Sequence, residues 1–375
     1  MSDDLTTLEL RSTATGAGRL ELALVDVPVA APGDGEIVVR VEATPINPSD
    51  LGLLLGPADM ATLETGGTAD RPTLSAAIPP RAMAGVKSRL DESMPVGNEG
   101  GGTVIAAGPG AEAMIGKRVG MMGGGMYTRL RKLRAADVMP LPEGASAADG
   151  ASMFVNPLTA LAFVETMKAE GHKAIVHTAA ASNLGQMLNR ICLMDGVPLI
   201  CVVRSEAQAA ILREQGATHI VDSSTPDFQD RLTDAIAETG ATLAFDAIGG
   251  GNQAARILQA METAASRNAA TYSRYGSDTF KQVYIYGGLD LSPTVLDRWV
   301  GFSWALGGWL LTPFLVKAGR DTGARLRQRV ADELTTTFAS RYTKTISLAE
   351  ALDSDTVRAY QRKATGEKFL IDPTL

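Results

Sequence analysis

Short apolar runs alternate with segments of helical spacing through the second half of this 375-residue chain, and this alternation constrains the fold most strongly. Each apolar run has the length of a β-strand, and strands that are apolar throughout must be covered on both faces. Helices between successive strands provide that cover, which predicts a doubly wound parallel sheet. The predicted strands are 174–177, 198–203, 220–221, 242–245 and 283–286, and the predicted helices are 158–167, 185–193 and 206–215.

The first 150 residues have a different pattern, with short strands separated by Gly- and Pro-containing turns. Residues 36–43 (EIVVRVEA) alternate polar and apolar side chains as a half-buried strand does, and residues 102–107 (GTVIAA) form a second apolar run. Residues 57–94 show no sustained period, so we expect an irregular stretch, either a functional lid or an insertion. The chain length favours two domains, a β-rich one followed by the α/β one.

The composition excludes several classes of protein. Acidic residues outnumber basic ones by 42 to 35, and the net charge of -7 disfavours a nucleic-acid-binding surface. Two cysteines, Cys192 and Cys201, and three histidines are too few for a structural zinc site or a disulfide scaffold. The first residues, MSDD, lack the basic start and apolar run of a secretory signal. We therefore expect a cytoplasmic protein that works without a metal.

Residues 299–316 form an uncharged segment that contains all three tryptophans of the chain. Its length approaches that of a membrane span, but Gly307, Gly308 and Pro313 interrupt it. We expect a buried or subunit-contact segment here, and the alternative is a surface for a membrane or an acyl chain.

The turn between the first predicted strand and helix of the α/β domain is built from small residues, 179–185 (AAASNLG). At this place in a doubly wound fold, amides at a helix N-terminus bind a pyrophosphate, and a glycine lets helix and strand pack closely. The pattern predicts a dinucleotide site, with an ordinary strand-to-helix turn as the alternative because two of the usual glycines are missing. The residues predicted to line the pyrophosphate are Ser182, Asn183, Leu184 and Gly185.

The end of the second predicted strand indicates which dinucleotide binds. A carboxylate there would bind the ribose 2′-hydroxyl of NAD(H), whereas an arginine suits the 2′-phosphate of NADP(H). Arg204 followed by Ser205 favours NADPH, although Glu206 is close by and a solvated arginine is the alternative. Gly249 and Gly287 follow later strands, where they would allow close approach of the cofactor or serve as turn residues.

Five short motifs occur in an order that resembles the zinc-independent medium-chain dehydrogenase/reductases, specifically their quinone oxidoreductase and enoyl-thioester reductase branches. They are residues 47–50 (NPSD), 97–110 (GNEGGGTVIAAGPG), 156–160 (NPLTA), 179–186 (AAASNLGQ) and 366–371 (GEKFLI). The resemblance implies an α/β fold with a GroES-like β-rich catalytic domain plus a doubly wound Rossmann domain. It assigns 1–151 to the catalytic domain with an insertion at about 57–94, 152–338 to the NADP-binding domain, and 339–375 to a C-terminal return to the catalytic domain.

The resemblance also bears on the metal. Zinc-containing relatives ligate the ion through a cysteine in the first motif and a histidine in the second. Here residues 44–47 read TPIN, and Asn98 occupies the histidine position. The resemblance thus implies hydride chemistry without zinc, in agreement with the scarcity of cysteine and histidine. It places the tryptophan-rich segment near the last Rossmann strand, where the family commonly forms a homodimer.

The activity that the resemblance implies is NADPH-dependent transfer of hydride to a small electrophilic acceptor, a quinone or an activated C=C bond. Asn47 is the expected catalytic contact beside the nicotinamide or a substrate oxygen, or else a turn residue before Pro48. Asn156 and Thr159 in the linker helix are expected to contact the cofactor. Lys368 is expected at the cofactor edge, with a solvated lysine as the alternative.

Two other functions remain open, a trans-2-enoyl-thioester reductase and a non-catalytic NADPH-binding relative. Enoyl-thioester reductases of this type have a tyrosine shortly after the first motif, which acts in protonating the substrate. In this chain residues 53–57 read LLLGP, so the tyrosine is missing. Tyr127 is one candidate proton donor, although the family more often treats that position as structural.

Overall fold

Three larger sheets organise the chain, which was analysed as a computed structural model that describes residues 5–267, 271–363 and 366–375. The chain divides into two units, Met1–Val155 with Val330–Leu375, and Asn156–Arg329. The chain passes between the units after Val155 and again after Arg329, whereas the predicted boundaries follow residues 151 and 338. The acidic start at residues 1–4 lies outside the described residues.

The elements of the N-terminal segment are mostly short strands. Its strands are β1 (Leu5–Ala14), β2 (Arg19–Val29), β3 (Glu36–Pro45), β4 (Asp59–Gly67), β5 (Pro72–Ala77), β6 (Ser93–Pro95), β7 (Glu99–Ala107), β8 (Arg118–Met122), β9 (Leu130–Arg134) and β10 (Val138–Pro140). Its α-helices are α1 (Leu51–Leu54), α2 (Met83–Val86) and α3 (Ala147–Gly150).

Strands and helices alternate in the following segment, and the chain then returns to the first unit. The helices are α4 (Val155–Ala169), α5 (Asn183–Asp195), α6 (Glu206–Glu214), α7 (Phe228–Thr239), α8 (Gln253–Arg267), α9 (Leu311–Asp332, kinked at Gly319) and α10 (Ser354–Gln361). The strands are β11 (Ile175–His177), β12 (Leu199–Val203), β13 (His219–Asp222), β14 (Leu243–Asp246), β15 (Gly249–Gly251), β16 (Lys281–Ile285), β17 (Asp290–Thr294), β18 (Trp304–Gly308), β19 (Lys344–Ile346) and β20 (Phe369–Ile371).

The first unit contains two sheets. One has the order β4-β5-β2-β1-β6, and the other has the order β10-β8-β7-β3-β20-β19, with β9 also paired to β3. Strand β20 pairs antiparallel with β3, so that Leu370 lies opposite Pro45 and Ile371 opposite Thr44. This pairing between the two ends of the sequence places Lys368, just before β20, close to the turn that follows β3.

The prediction that residues 57–94 are irregular is wrong. Strands β4 and β5 pair with each other and extend the first sheet beside β2, and β6 pairs with β1. Leu74, Ile78 and Val86 from this stretch are buried in the core of the unit. Strand β4 could not be recognised in the sequence because it is an edge strand whose side chains are largely exposed on both faces. Its backbone pairs with β5 without any alternation of polar and apolar residues.

The second unit contains the predicted doubly wound sheet. Its six strands are all parallel, in the order β13-β12-β11-β14-β16-β18, and helices follow the strands. Every residue of β12 (LICVV) is buried, as expected of a strand that is covered on both faces. The fold class is confirmed, with a β-rich GroES-like unit and a Rossmann unit.

Of the two alternatives predicted for residues 299–316, burial within the single chain is wrong, and a subunit contact stays a prediction. Trp299 is 81% exposed and Phe302 is 82% exposed, while Trp304 and Trp309 are partly buried. The reason is topological, because β18 is the last strand of the sheet and pairs only with β16. Within the part of the chain that the structure describes, no helix is long and apolar enough to cross a membrane.

We expect Leu74→Ala to lower the free energy of unfolding by about 2–5 kcal/mol, because it leaves a cavity under β5. Leu74 is 2% exposed in the core of the first unit. Chemical denaturation measures the loss, and Leu5→Ala in β1, at a 45% exposed residue of the same sheet, is the matched control. Equal effects of the two substitutions would show that residues 57–94 are not part of this core.

Candidate functional site

In the second unit, the turn between β11 and α5 is tightly packed. A Cβ atom on Gly185 would lie 2.2 Å from the carbonyl oxygen of Ala180, so only glycine fits there. Ala179 has a left-handed backbone with φ of 50°, a conformation that costs free energy for a residue with a Cβ. The Ser182 hydroxyl caps α5 by accepting a hydrogen bond from Gly185 N at 3.1 Å. The turn therefore brings the backbone against the N-terminus of a 13-residue helix.

Asn183 and Leu184, the other two predicted pyrophosphate residues, form the first turn of α5. Asn183 is half-buried and Leu184 is buried. The positive end of the helix dipole and the backbone amides of this turn are the groups that bind anions in such folds. The local geometry thus matches the predicted phosphate turn, although the Ser182 cap occupies one of its amides.

The end of β12 presents a cation. The backbone N–H of Arg204 donates to Gln208 Oε1, and the exposed guanidinium has no partner within the described residues. Ser205 caps α6 through a hydrogen bond from Gln208 N at 3.3 Å. Glu206, the acidic neighbour, is engaged by Arg213 at 3.0 Å. The unpaired charge at this strand end is therefore positive.

Gly249 and Gly287 are explained by packing between two loops. A Cβ on Gly249 would lie 2.7 Å from the Gly287 carbonyl oxygen, and a Cβ on Gly287 would lie 2.7 Å from the Ala247 carbonyl oxygen. Gly249 also has φ of 81° and accepts a hydrogen bond from the Thr294 hydroxyl at 2.7 Å. Contact with a cofactor is not needed to account for either glycine, so that role stays a prediction.

A buried carboxylate joins the carboxyl ends of two central strands. Asp246 Oδ1 accepts hydrogen bonds from the Thr178 hydroxyl at 2.7 Å and from Ile248 N at 3.0 Å, and Oδ2 accepts from Gly249 N at 3.1 Å. Thr178 Oγ1 in turn accepts from Ala247 N. These bonds hold the loops after β11 and β14 in one arrangement.

His177 and Tyr286 form a second polar contact at this edge of the sheet, with 2.8 Å between Nε2 and the phenol oxygen. Burial lowers the pKa of His177 to about 3, so the ring is neutral at pH 7. Its Nδ1 is buried without a partner among the described residues. Tyr286 borders an open groove of about 530 Å³, which is lined by Ile285, Tyr286, Gly287, Gly288, Gly308, Trp309, Leu310 and Pro313.

The first unit contains a separate buried polar cluster centred on Glu99. Glu99 Oε1 accepts a hydrogen bond from Asn47 Nδ2 at 2.8 Å. Glu99 Oε2 accepts from the backbone N–H groups of Phe154 at 3.0 Å and Val155 at 2.9 Å. Burial raises the pKa of Glu99, and Lys368 together with these hydrogen bonds opposes the rise. The three N–H donors favour the carboxylate form, which is the better acceptor.

Asn47, the predicted catalytic residue, is only 2% exposed, and its Oδ1 has no partner among the described residues. Its backbone N–H donates to Asp50 Oδ2, and Asn98 N donates to Asp50 Oδ1, both at 2.8 Å. Burial raises the pKa of Asp50 to about 7 against these hydrogen bonds. Asn98, which stands at the histidine position of zinc relatives, donates through Nδ2 to the Ser49 hydroxyl at 3.0 Å.

Lys368 joins the same cluster. Its Nζ donates to the Ser152 hydroxyl at 2.8 Å and lies 5.3 Å from the centre of the Tyr342 ring. Burial lowers the pKa of Lys368 to about 8, while the charges of Glu99 and Asp50 act in the opposite direction. A half-buried ammonium beside Asn47 and Glu99 is therefore poised to change its protonation near neutral pH.

Of the other predicted residues, Asn156 and Thr159 lie in the second unit and Tyr127 lies in the first. Asn156 is half-buried and Thr159 is buried, both on the first turns of α4 in the second unit. Tyr127 is fully buried and donates its phenolic hydrogen to the Pro45 carbonyl at 3.1 Å. Its hydroxyl has a structural partner, and burial raises its pKa well above the ordinary value, which makes Tyr127 a poor proton donor.

Four residues of the cluster were missed in the sequence, namely Asp50, Glu99, Ser152 and Tyr342. The first two lie inside quoted motifs, and an acidic residue in a glycine-rich stretch at the start of an apolar strand is a detectable signal for Glu99. Ser152 and Tyr342 have no such signal. Within the described residues no group of three His, Cys, Asp or Glu side chains could hold a metal ion.

Comparisons with known proteins agree with this architecture. Residues 183–267 match the family described as zinc-binding dehydrogenase. The VAT-1 homolog of Rattus norvegicus, a synaptic vesicle membrane protein, is 27% identical over 60% of this chain and 49% of its own length. The chain thus spans about half the length of the first curated relatives that it matches.

Two further comparisons cover more of both proteins. Acrylyl-CoA reductase of Ruegeria pomeroyi is 28% identical over 68% of this chain and 69% of that protein. The crystal structure of a candidate NADPH:quinone reductase from Mesorhizobium loti matches 100% of both chains with a TM-score of 0.73 and 26% identity. With the GroES-like and Rossmann units described above, these matches make the chain similar in sequence and fold to medium-chain dehydrogenases/reductases.

Proposed function

We propose that this protein is an NADPH-dependent reductase that transfers hydride to a small electrophilic acceptor without zinc. The observation on which the proposal chiefly depends is the β11–α5 turn, where Gly185 allows no Cβ and the backbone meets the helix N-terminus. This is the geometry that pyrophosphate binding requires in a Rossmann unit. The similarity to a candidate NADPH:quinone reductase over the whole chain supports the same function.

The chain offers residues for each part of the cofactor. Residues 182–185 would hold the pyrophosphate, and Arg204 with Ser205 would hold the 2′-phosphate, because the guanidinium is unpaired and Glu206 is diverted. Further contacts that hold the cofactor are proposed for Asn156, Thr159, Gly249 and Gly287, and Lys368 is proposed to lie at the cofactor edge. When bound, NADPH would supply the hydride, and the protein would supply orientation and electrostatics.

We propose a quinone or an activated C=C bond as the acceptor. The names of two similar proteins, an acrylyl-CoA reductase and a candidate quinone reductase, support these two classes. All three histidines and both cysteines of the chain lie between residues 172 and 219, so the cluster around Asn47 has none of the soft ligands that zinc prefers. A trans-2-enoyl thioester remains the narrower alternative, since the tyrosine of that branch is missing.

The Asn47 amide would interact with the bound ligand through a defined face. Its Nδ2 donates to Glu99, which leaves the buried Oδ1 as an acceptor without a partner among the described residues. A buried acceptor that stays unpaired costs about 1–3 kcal/mol, so a ligand that brings a donor to this atom gains affinity. We therefore propose that Asn47 accepts a hydrogen bond from the cofactor or the substrate.

The proposal also includes the oligomeric state, the cellular compartment and the absence of a nucleic-acid partner. The exposed side chains before and after β18 include Trp299, Phe302 and Leu310, and exposed apolar side chains beside the last strand of a sheet favour a homodimer. Cys192 and Cys201 are buried and free, which fits a reducing compartment such as the cytoplasm. The net charge of -7 argues against a nucleic-acid partner.

The activity is tested by following NADPH consumption with 1,4-quinones and with crotonyl thioesters. We expect turnover of at least one of these acceptors. Clear NADPH binding without any turnover would support the non-catalytic alternative, and failure to bind NADPH would refute the proposal altogether.

Cofactor selectivity is tested by Arg204→Glu, which we expect to weaken NADPH binding by about tenfold or more and NADH binding much less. The physical reason is the loss of a charge-assisted bond to the 2′-phosphate. Dissociation constants from fluorescence titration measure both effects. Arg320→Glu, at an exposed arginine of α9, is the control and should leave the ratio unchanged; equal weakening of both dinucleotides by Arg204→Glu would contradict the assignment.

The orientation of Asn47 is tested by Glu99→Gln. The glutamine oxygen would keep the bonds from Phe154 and Val155 and present its NH2 to Asn47, so the Asn47 amide would have to turn and face the ligand with Nδ2. We expect kcat/KM to fall by about tenfold, because Asn47 Nδ2 and the donor of the ligand would then face each other without an acceptor. When Asn47→Asp is added to Glu99→Gln, one aspartate oxygen can accept from the new glutamine NH2 and the other can accept from the ligand. We therefore expect the double variant to recover activity. A double variant no better than the single one would sink the idea.

A further inference from the structure

A one-way chain of hydrogen bonds starts at Lys368 in the first unit. The ammonium can only donate, so Ser152 Oγ accepts from Lys368 Nζ at 2.8 Å. Tyr342 donates its phenolic hydrogen to the Ala148 carbonyl at 3.2 Å. The Ser152 hydrogen must therefore point to the Tyr342 oxygen, 2.8 Å away. The chain ends on a backbone carbonyl, so it holds the ammonium in place and cannot take a proton from it.

The rest of the ammonium is left for a ligand. Lys368 forms no ion pair among the described residues, and Ser152 Oγ is the one hydrogen-bond acceptor of Nζ found there. The nearby acids are occupied, because both oxygens of Glu99 and both oxygens of Asp50 accept N–H groups from elsewhere. The half-buried ammonium has unused N–H groups, and Asn47, whose amide is bound to the same Glu99 cluster, has an Oδ1 that is an unpaired acceptor among the described residues, so the cluster is incomplete without a ligand.

We propose that Lys368 is the proton donor of the reduction, positioned by Ser152 and Tyr342. This inference rests on the proposed reductase function and adds the acid that the missing tyrosine leaves unassigned. In the step, bound NADPH would supply the hydride with its electron pair and be oxidised to NADP+, and a C–H bond would form on the activated C=C bond of the acceptor. The resulting enolate would take a proton from Lys368 Nζ, which completes the two-electron reduction of the acceptor. The neutral amine is then reprotonated from solvent, since the side chain is only half-buried.

The charged and titratable groups around Lys368 are consistent with this role. Glu99 on β7 and Asp50 before α1 favour the ammonium, burial disfavours it, and the face of the Tyr342 ring lies 5.3 Å away. The balance leaves the pKa of Lys368 at about 8, close to the working pH that suits a general acid. Since the acid form is lost above this value, the rate should fall as the pH rises through about 8.

The test compares Lys368→Met and Lys368→Arg with the wild-type protein, using crotonyl-CoA and a 1,4-quinone as acceptors. We expect kcat to fall by about 100-fold or more in both variants, and the alkaline limb of the pH profile to disappear. NADPH affinity should stay within about threefold. Arginine retains the charge and the bond to Ser152 but does not release its proton, so it separates acid catalysis from charge alone. Lys344→Met, at an exposed lysine of β19, is the control.

Three outcomes would overturn the proposal. Full activity in Lys368→Arg would show that only the charge matters, and loss of NADPH binding in both variants would make Lys368 a cofactor ligand. An unchanged rate and pH limb in Lys368→Met would remove it from the reaction. A wild-type protein that neither binds NADPH nor reduces either acceptor would instead refute the reductase function itself.

The positioning residues have their own readout. Ser152→Ala removes the acceptor that holds Nζ, so we expect kcat to fall several-fold while the alkaline limb remains and moves. Ser152→Thr keeps the hydroxyl and should restore both the rate and the position of the limb. If Ser152→Ala changes the free energy of unfolding but leaves the alkaline limb of the pH profile unchanged, Ser152 does not position the ammonium.

Discussion

The carboxylate of Glu99 is the interaction on which the candidate site depends. It is buried, yet it accepts three N–H groups from two separate parts of the chain, Asn47 and residues 154–155. Burying an unpaired charge would cost several kcal/mol, and these bonds together with the nearby Lys368 offset that cost. Removing the charge would therefore affect both the turn after β3 and the backbone at Val155.

The two units have different chemical tasks in this proposal. The Rossmann unit offers backbone amides and the Arg204 guanidinium, which has no partner among the described residues; these groups suit phosphates and do not require proton transfer. The GroES-like unit contains Asp50 and Lys368, two groups whose pKa values are shifted toward neutrality, to about 7 and about 8. Perturbed groups of this kind are concentrated at functional sites. The proposal therefore assigns proton transfer to the first unit and the phosphate groups of the dinucleotide to the second.

Much of the α/β unit could be predicted because its strands are buried on both faces, which makes them continuous apolar runs. The predicted run 198–203 corresponds to Leu199–Val203, and the predicted run 242–245 to Leu243–Asp246. Two features could not be predicted because burial and apolar pattern do not coincide there. Strand β4 is an exposed edge strand with no apolar period, and residues 299–316 are apolar but belong to the open end of the sheet. An apolar segment is buried only where another part of the structure packs against it.

The sequence by itself determined the doubly wound fold, the tight turn with Gly185 before α5, and the absence of cysteine and histidine from the segments around Asn47. These follow from local patterns and from composition, which need no knowledge of distant contacts. Only the tertiary structure decided that Lys368 lies beside Ser152 and Glu99, because the antiparallel pairing of β20 with β3 joins the two ends of the chain. It also decided which face of the Asn47 amide is free, since that depends on a hydrogen bond to a residue 52 positions away.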